Sequence, residues 1–398
     1  MTEFPATRTA ALEKLNAFVP RAGADYARLR NFDHGAGRHE NVSGLSPYIR
    51  NRLLTEHEVL QAVLARHSVR GAEKFIAEVY WRTYWKGWLE MRPSVWLDYR
   101  AGVMRSWDRV QVESGLRKRW ETACHGRTGI DAFDHWAQEL VQTGYLHNHA
   151  RMWFASIWVF TLRLPWQLGA DFFLRYLLDG DPASNTLGWR WVAGLQTRGK
   201  TYLARPANIA KYTGGRFHPQ GLASAAPAPD SAPHPAPLPA PGSDRAAFNT
   251  PTALVLHEDD LSPGYLLDRG LQPVATALVQ ASAARSPLNV SENVHRFTAG
   301  ALQDVQARWS GRLGPITMIG DATALRAWAA DTGAAQIVTP HAPVGPVAEM
   351  LDALQIDQPV HRILRDHDAR AWPHATHGFF RFKQAIPDLL AAAGLTKT

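Results

Sequence analysis

Between residues 143 and 191, five tryptophans (Trp153, Trp158, Trp166, Trp189 and Trp191) alternate with Asn148, Arg151, Asp179, Asp181 and Asn185. Broad aromatic rings beside fixed hydrogen-bonding groups suit a planar cofactor with a polar edge. A Trp-rich helical core with a few satisfied polar groups is the plainer alternative. The run FIAEVYWRTYWKGWLE, residues 75–90, sets Glu78, Trp81, Arg82 and Trp85 three and four apart. That spacing gathers a carboxylate, two indoles and a guanidinium on adjacent faces of one helix. A surface Glu78–Arg82 pair over an aromatic core accounts for the same pattern. In NVSGLSPY, residues 41–48, Ser43, Leu45 and Ser46 precede Pro47, where a first helical turn would begin. Free backbone N–H groups flanked by hydroxyls make a phosphate cradle there, and a simple Ser N-cap explains the letters equally well. His147 and His149 resemble a metal pair, but no third ligand is evident, and neither H-E-x-x-H nor G-x-S-x-G occurs.

The elements that must position these groups change character along the chain. The first half reads as all-helical: Phe75, Val79, Trp85 and Leu89 recur at helical spacing, as do Ala132, Trp136, Leu140 and Val141, with Pro93, Pro165 and Pro206 as punctuation. Residues 222–250, LASAAPAPDSAPHPAPLPAPGSDRAAFNT, are dominated by Pro and Ala and cannot bury enough surface to offset their ordering entropy. They read as an extended interdomain linker. Beyond them, short apolar runs at 252–257, 316–320, 335–339 and 360–364 read as strands, with amphipathic helices at 322–332 and 344–354. Such alternation predicts a small parallel sheet flanked by helices, with right-handed crossovers. No G-x-G-x-x-G or Walker loop follows any of these strands. The expected organisation is a helical catalytic domain over 1–221, the linker over 222–250 and a Rossmann-like α/β domain over 251–398.

The chain's 398 residues allow two or three real cores. One cysteine, Cys124, excludes an internal disulfide framework and suits a reducing cytosol. The N-terminal residues lack the apolar run of a secretory signal, and residues 152–164 are too short for a membrane span and carry Arg163. A cytoplasmic protein is expected. Residues 1–222 hold 30 Lys+Arg against 20 Asp+Glu, and residues 223–398 hold 13 against 16. Twelve of the 15 tryptophans also lie in the first half. A basic, aromatic-rich half suggests contact with nucleic acid.

Four segments in order then resemble the FAD-binding domain of the DNA photolyase/cryptochrome superfamily. They are YARLRNF from Tyr26, VSGLSPYI from Val42, FIAEVYWRTYW from Phe75, and TGYLHNHARM continuing to DGDPASNTLGWRW. The resemblance implies that Ser43, Leu45 and Ser46 hold the FAD pyrophosphate, with Tyr26 and Arg82 nearby. It implies that Asn148 and Arg151 face the flavin, Arg151 paired to Asp179, with Asp181 at the isoalloxazine or ribityl edge and Asn185 at flavin N5. Glu78 would bind the lesion's base carbonyls, Trp81 and Trp191 would pack against the flipped bases, and Met152 would touch them. Trp189 and Trp166 match the first links of the photoreduction chain, with Trp107 as the third. Arg30 would meet DNA, as would His149, which stands where the family has Arg.

Ordinary members place an α/β domain before the helical one, whereas here it follows. HGFFRFKQAIPDLL from His377 resembles the segment that closes the family's α/β domain. The chain is therefore similar to an inverted-topology bacterial subgroup, which implies a deoxyribodipyrimidine photo-lyase. That enzyme would use blue light and FAD, without metal, to repair cyclobutane pyrimidine dimers in damaged, single-stranded DNA as a monomer. The α/β domain would seal the flavin instead of serving an antenna chromophore. A cryptochrome-type photoreceptor and a (6-4) lesion photolyase are the alternatives, the second kept open by His147 and His149.

Overall fold

The computed structural model describes residues 4–396. Its first part is helical throughout, and its second part builds one five-stranded sheet in the order β3-β2-β1-β4-β5. The strands are β1 (Thr252–His257), β2 (Pro273–Val279), β3 (Ile316–Ile319), β4 (Gln336–Pro340) and β5 (Val360–Ile363), and all neighbouring pairs are parallel. No described helix is long and apolar enough to cross a membrane.

Two expectations need correction here. The sequence reading contains four strands, but β2 inserts between β1 and β3, and the helix Glu292–Trp309 precedes β3. β2, PVATALV, mixes small side chains with a leading proline, so its apolar signal is weak. The connecting segment is also less free than its composition implies. It forms no helix or strand, yet the Arg92 guanidinium donates to Pro235 O at 3.2 Å, Leu238 N to Met91 O at 2.8 Å, and Asp244 N to Arg362 O at 3.0 Å.

The central strands β1 and β4 are buried on both faces, as in parallel sheets generally, whereas edge strand β3 leaves Thr317 and Met318 exposed. Successive residues of β1 point to opposite faces. Ala253 and Val255 pack with Leu325, Ala329, Val347 and Leu351, whereas Leu254 and Leu256 join the core that runs on into the helical half. The helical half centres on fully buried Trp96, Trp136, Trp153 and Trp158.

Three local features set the site's walls. The helix Glu73–Glu90 carries Glu78 and Arg82 one turn apart. The helix Asn148–Ser156 passes into one π-helical stretch, Ile157–Thr161, before Pro165 opens the helix Trp166–Tyr176. Asp181 caps the helix Pro182–Val192 by accepting from Ser184 N at 2.9 Å, and Pro182 supplies the preset first-turn φ.

Candidate functional site

These helices enclose a cavity of about 650 Å³. Tyr26, Arg30, Ser43, Ser46, Glu78, Trp81 and Arg82 line one part of it. Asn148, His149, Arg151, Met152, Asp179, Asp181, Asn185, Trp189 and Trp191 line the rest. Residues from five separate stretches of chain thus meet in one concavity, of a size that suits a dinucleotide-like ligand.

At one end lies the serine loop. Gly44 takes φ +60°, a left-handed turn that glycine adopts without penalty. Ser43 Oγ accepts from Leu45 N at 3.3 Å. The short helix Ser46–Arg50 has Leu45 at its N-cap with no side-chain cap, so the simple Ser N-cap alternative does not apply. Leu45 is fully buried and outside the cavity lining. Arg82 is held by Glu56 Oε1 at 3.3 Å and by Ile49 O at 3.0 Å.

The opposite wall carries the acid–base pairs. Arg151 and Asp179 form a bidentate pair at 3.0 and 2.8 Å. Asp181 pairs with buried Lys86 at 3.1 Å. Burial works against the Asp181 carboxylate, but Lys86, Arg82 and Arg50 outweigh it and hold its pKa far below the usual range. Burial likewise pushes the Lys86 ammonium down, against the pull of Asp181. Lys86 escaped the sequence reading, although it stands one further helical turn past Glu78 and Arg82. Asn185 Nδ2 donates to Ala170 O at 2.8 Å, which leaves its carbonyl oxygen as the group free to accept. Gly188 lines the cavity with open space where a Cβ would stand, so a flat ligand can approach the backbone closely.

Near the mouth, Glu78 forms an ion pair with Arg30. Burial raises the Glu78 pKa despite that guanidinium. Arg30, expected at DNA, pairs with Glu78 and lines the cavity. Trp81 stacks on Phe379 of the chain's C-terminal part at 3.7 Å and 12°, a contact that no local pattern announced. Trp191 packs against Tyr202 at 5.8 Å. His149 shares Nδ1 with Asn31 O at 3.0 Å and stacks on Trp153 at 4.1 Å. His147 is buried outside the lining, and burial drives its pKa down to about 3. No group of three or more His, Cys, Asp or Glu among the described residues could hold a metal ion.

Trp189 lines the cavity, and the indole packed against it is Trp158, at 6.2 Å between ring centres. Gly169 permits this: a Cβ there would meet Trp189 at 2.3 Å and Trp158 at 2.9 Å. Trp166 lies outside the cavity and packs on Tyr99 at 5.9 Å. Trp107, also outside the lining, pairs with Trp120 at 5.2 Å.

The Arg50–Arg52 turn directly after the serine loop is gripped from the sheet. Arg50 pairs with Asp259 and with Glu258 at 3.6 Å, and Arg285 also meets Glu258, at 3.1 Å. Asn51 Nδ2 donates to Glu258 O at 2.6 Å, and Arg52 pairs with Asp260 at 3.1 Å. This acidic turn leaves the carboxyl end of β1, beside the switch between β1 and β4 where open α/β sheets usually hold a ligand.

Known proteins bear on this arrangement. Residues 75–222 match the family described as the FAD binding domain of DNA photolyase. The deoxyribodipyrimidine photo-lyase of Vibrio cholerae is 28% identical over 219 residues, which cover 52% of this chain and 43% of that protein. Its counterpart from Thermus thermophilus is 37% identical over 193 residues, 47% of this chain and 42% of that protein. A solved bacterial class III photolyase from Agrobacterium tumefaciens aligns at 28% identity with a TM-score of 0.44, covering 52% of this chain and 43% of that one. The matches therefore span less than half of each relative's length.

Proposed function

We propose, for a chain whose residues 75–222 match the FAD binding domain of DNA photolyase, light-driven reversal of cyclobutane pyrimidine dimers, with single-stranded DNA as the preferred substrate. One observation carries this reading: Glu78, Trp81, Met152 and Trp191 line the same cavity as the cofactor-holding set. A pure photoreceptor has no use for such a second set of side chains. The (6-4) alternative wants an active-site histidine. His147 lies outside the lining; His149 lines the cavity, but its ring is stacked on Trp153 and its Nδ1 is engaged with Asn31 O.

The residues fit FAD. Ser43 and Ser46, with the Gly44 turn between them, offer hydroxyl and backbone donors to phosphates, and Arg82 adds charge. Arg151, locked by Asp179, gives a rigid cation at the flavin-facing wall. Asn185, its amide N–H given to Ala170, turns a carbonyl acceptor toward the ring edge. The chemistry that bound FAD supplies is light-driven donation of an electron and its recovery.

This chain's residues do the rest. Trp81 and Trp191 stack extruded bases, and stacking tolerates any sequence. Glu78, set in the cavity beside Arg30 with burial raising its pKa, is placed to hydrogen-bond the extruded bases and favour the charge that develops there. A single strand spares the unpairing cost of a few kcal/mol. The α/β half seals the cavity from behind its lining, which lies wholly within residues 26–192: its acidic turn grips the serine loop's helix from the carboxyl end of β1. This supports a structural role over an antenna site. The test is repair of a dimer-containing oligonucleotide by the purified holoprotein under blue light. Glu78→Ala should retain FAD and lose most of the repair yield; repair at the parent level would remove Glu78 from the site.

A further inference from the structure

A second concavity, about 560 Å³, opens on the helical half and shares no lining residue with the cofactor cavity. Four guanidiniums line it, those of Arg105, Arg109, Arg119 and Arg163. Arg109 is answered by Glu113 at 2.8 Å. Among the described residues, Arg105, Arg119 and Arg163 have no ion-pair partner. The carboxylate in the lining is Asp230, from the connecting segment. Unanswered guanidiniums in a groove concentrate small anions and can fork onto their oxygens.

The backbone supports a built site. Arg163 takes φ +51°, one of two non-glycine residues described with a positive φ. The other, Arg52, carries its guanidinium into the buried interdomain clamp. Such strain persists only where surrounding structure imposes it. Here Leu162 N donates to Ile157 O at 2.9 Å and Leu164 N to Trp158 O at 3.1 Å, so the π-helical turn pins both neighbours and turns Arg163 outward.

The floor of the groove includes Trp166, 8% exposed. Trp158 Nε1 donates to the carbonyl of the preceding Pro165 at 2.9 Å, and Trp158 packs on Trp189 in the cavity wall. One hydrogen bond and the Pro165–Trp166 peptide therefore join the groove's floor to Trp158, and Trp158 to the cofactor cavity's wall. We propose that this groove docks a small anionic reductant that feeds electrons inward through Trp166. The inference rests on the light-driven reading above. When light draws an electron inward through Trp189 and the vacancy reaches Trp166, the donor gives up one electron. The Trp166 indole radical cation becomes the neutral indole, the donor leaves as its one-electron-oxidised radical, and no proton need move at the indole.

The test is flash excitation of the holoprotein with the decay of the tryptophan radical followed against donor concentration. Ascorbate serves as a simple anion, NADPH as a phosphate-bearing one and dithiothreitol as a neutral control. Dark calorimetric titration with NADPH gives a second readout. Arg119→Gln with Arg163→Asn, the asparagine chosen because it tolerates a left-handed backbone, should raise the half-saturating concentration of an anionic donor. The expected rise is roughly tenfold, the effect of two unit charges through water over ~6 Å. Decay driven by dithiothreitol should change less than about twofold. If NADPH saturates and ascorbate does not, the ligand bears phosphate; if both saturate, negative charge alone suffices. Anionic and neutral donors equally affected by the variant would overturn the proposal. So would weakened single-strand binding with unchanged donor kinetics, which would assign the groove to a nucleic-acid backbone. Absence of any tryptophan radical with all three donors would sink the light-driven reading and this inference with it, whereas a radical with unsaturable ascorbate and NADPH decay would sink the inference alone.

Discussion

Removing the Arg50 guanidinium tests how the sheet supports the serine loop. Its side chain is 2% exposed and sits against Asp259, with Glu258 at 3.6 Å and Gly180 O at 2.9 Å. Arg50→Met keeps much of the volume and removes the charge. Glu258 keeps Arg285 at 3.1 Å, so the loss falls on Asp259, whose carboxyl Arg50 holds below its usual pKa against burial. Stranding one buried charge costs about 3–5 kcal/mol. For a chain of this size that lowers the melting midpoint by about 4–6 °C. Because Ser46–Arg50 is the helix behind the phosphate cradle, FAD retention should fall too. The assay is a denaturant titration read by flavin and tryptophan fluorescence together. Arg50→Met with Asp259→Leu should regain most of the stability, since apolar replacement of a whole buried pair is often neutral. A single variant within about 1 kcal/mol of the parent, with normal flavin content, would refute the idea that this clamp supports the site.

Other outcomes follow from the same geometry. Gly169→Ala should destabilise the helical half by about 1–3 kcal/mol, because its Cβ would meet Trp189 at 2.3 Å, and thermal melting will read it. Trp189→Phe should keep flavin and slow photoreduction in blue light with an external donor; an unchanged rate would place electron entry elsewhere. Burial disfavours the Asp260 carboxylate, but Arg365 and Arg52 outweigh it and hold its pKa at about 2, below an unfolded value of about 3.9. Its contribution of about 2–3 kcal/mol is therefore complete above about pH 4 and fades as pH falls toward 2, and Asp260→Asn should flatten that part of an acid titration. Truncation after Gly221 should expose apolar surface and weaken FAD retention, measured as flavin-to-protein absorbance ratio; full retention would deny the α/β half a sealing role.

The helical first half and the parallel sheet were legible because both rest on local periodicity. Residues 252–257 and 360–364 announce strands by their apolar runs, and their structural counterparts are β1 and β5. β2 was missed since Ala275 and Ala277 give little apolar signal, and its place in the sheet comes from pairing with Ile316–Ile319, some 40 residues away in sequence. Spacing also put Glu78 and Arg82 on neighbouring turns of one helix, and Asp181 before Pro182 already spells a cap. These are relations within a few residues, where backbone geometry alone decides.

What the sequence could not decide was which distant surfaces meet. Lys86 beneath Asp181, Phe379 over Trp81 and the 258–260 turn on Arg50–Arg52 join residues separated by about 95 to about 300 positions. Likewise, the seating of Trp158 against Trp189 turned on Gly169, whose missing side chain leaves room for both rings. Hydrophobic burial is non-directional and names no partner. Only close packing of the finished core, where a single Cβ is felt, chooses among the contacts that composition and periodicity permit.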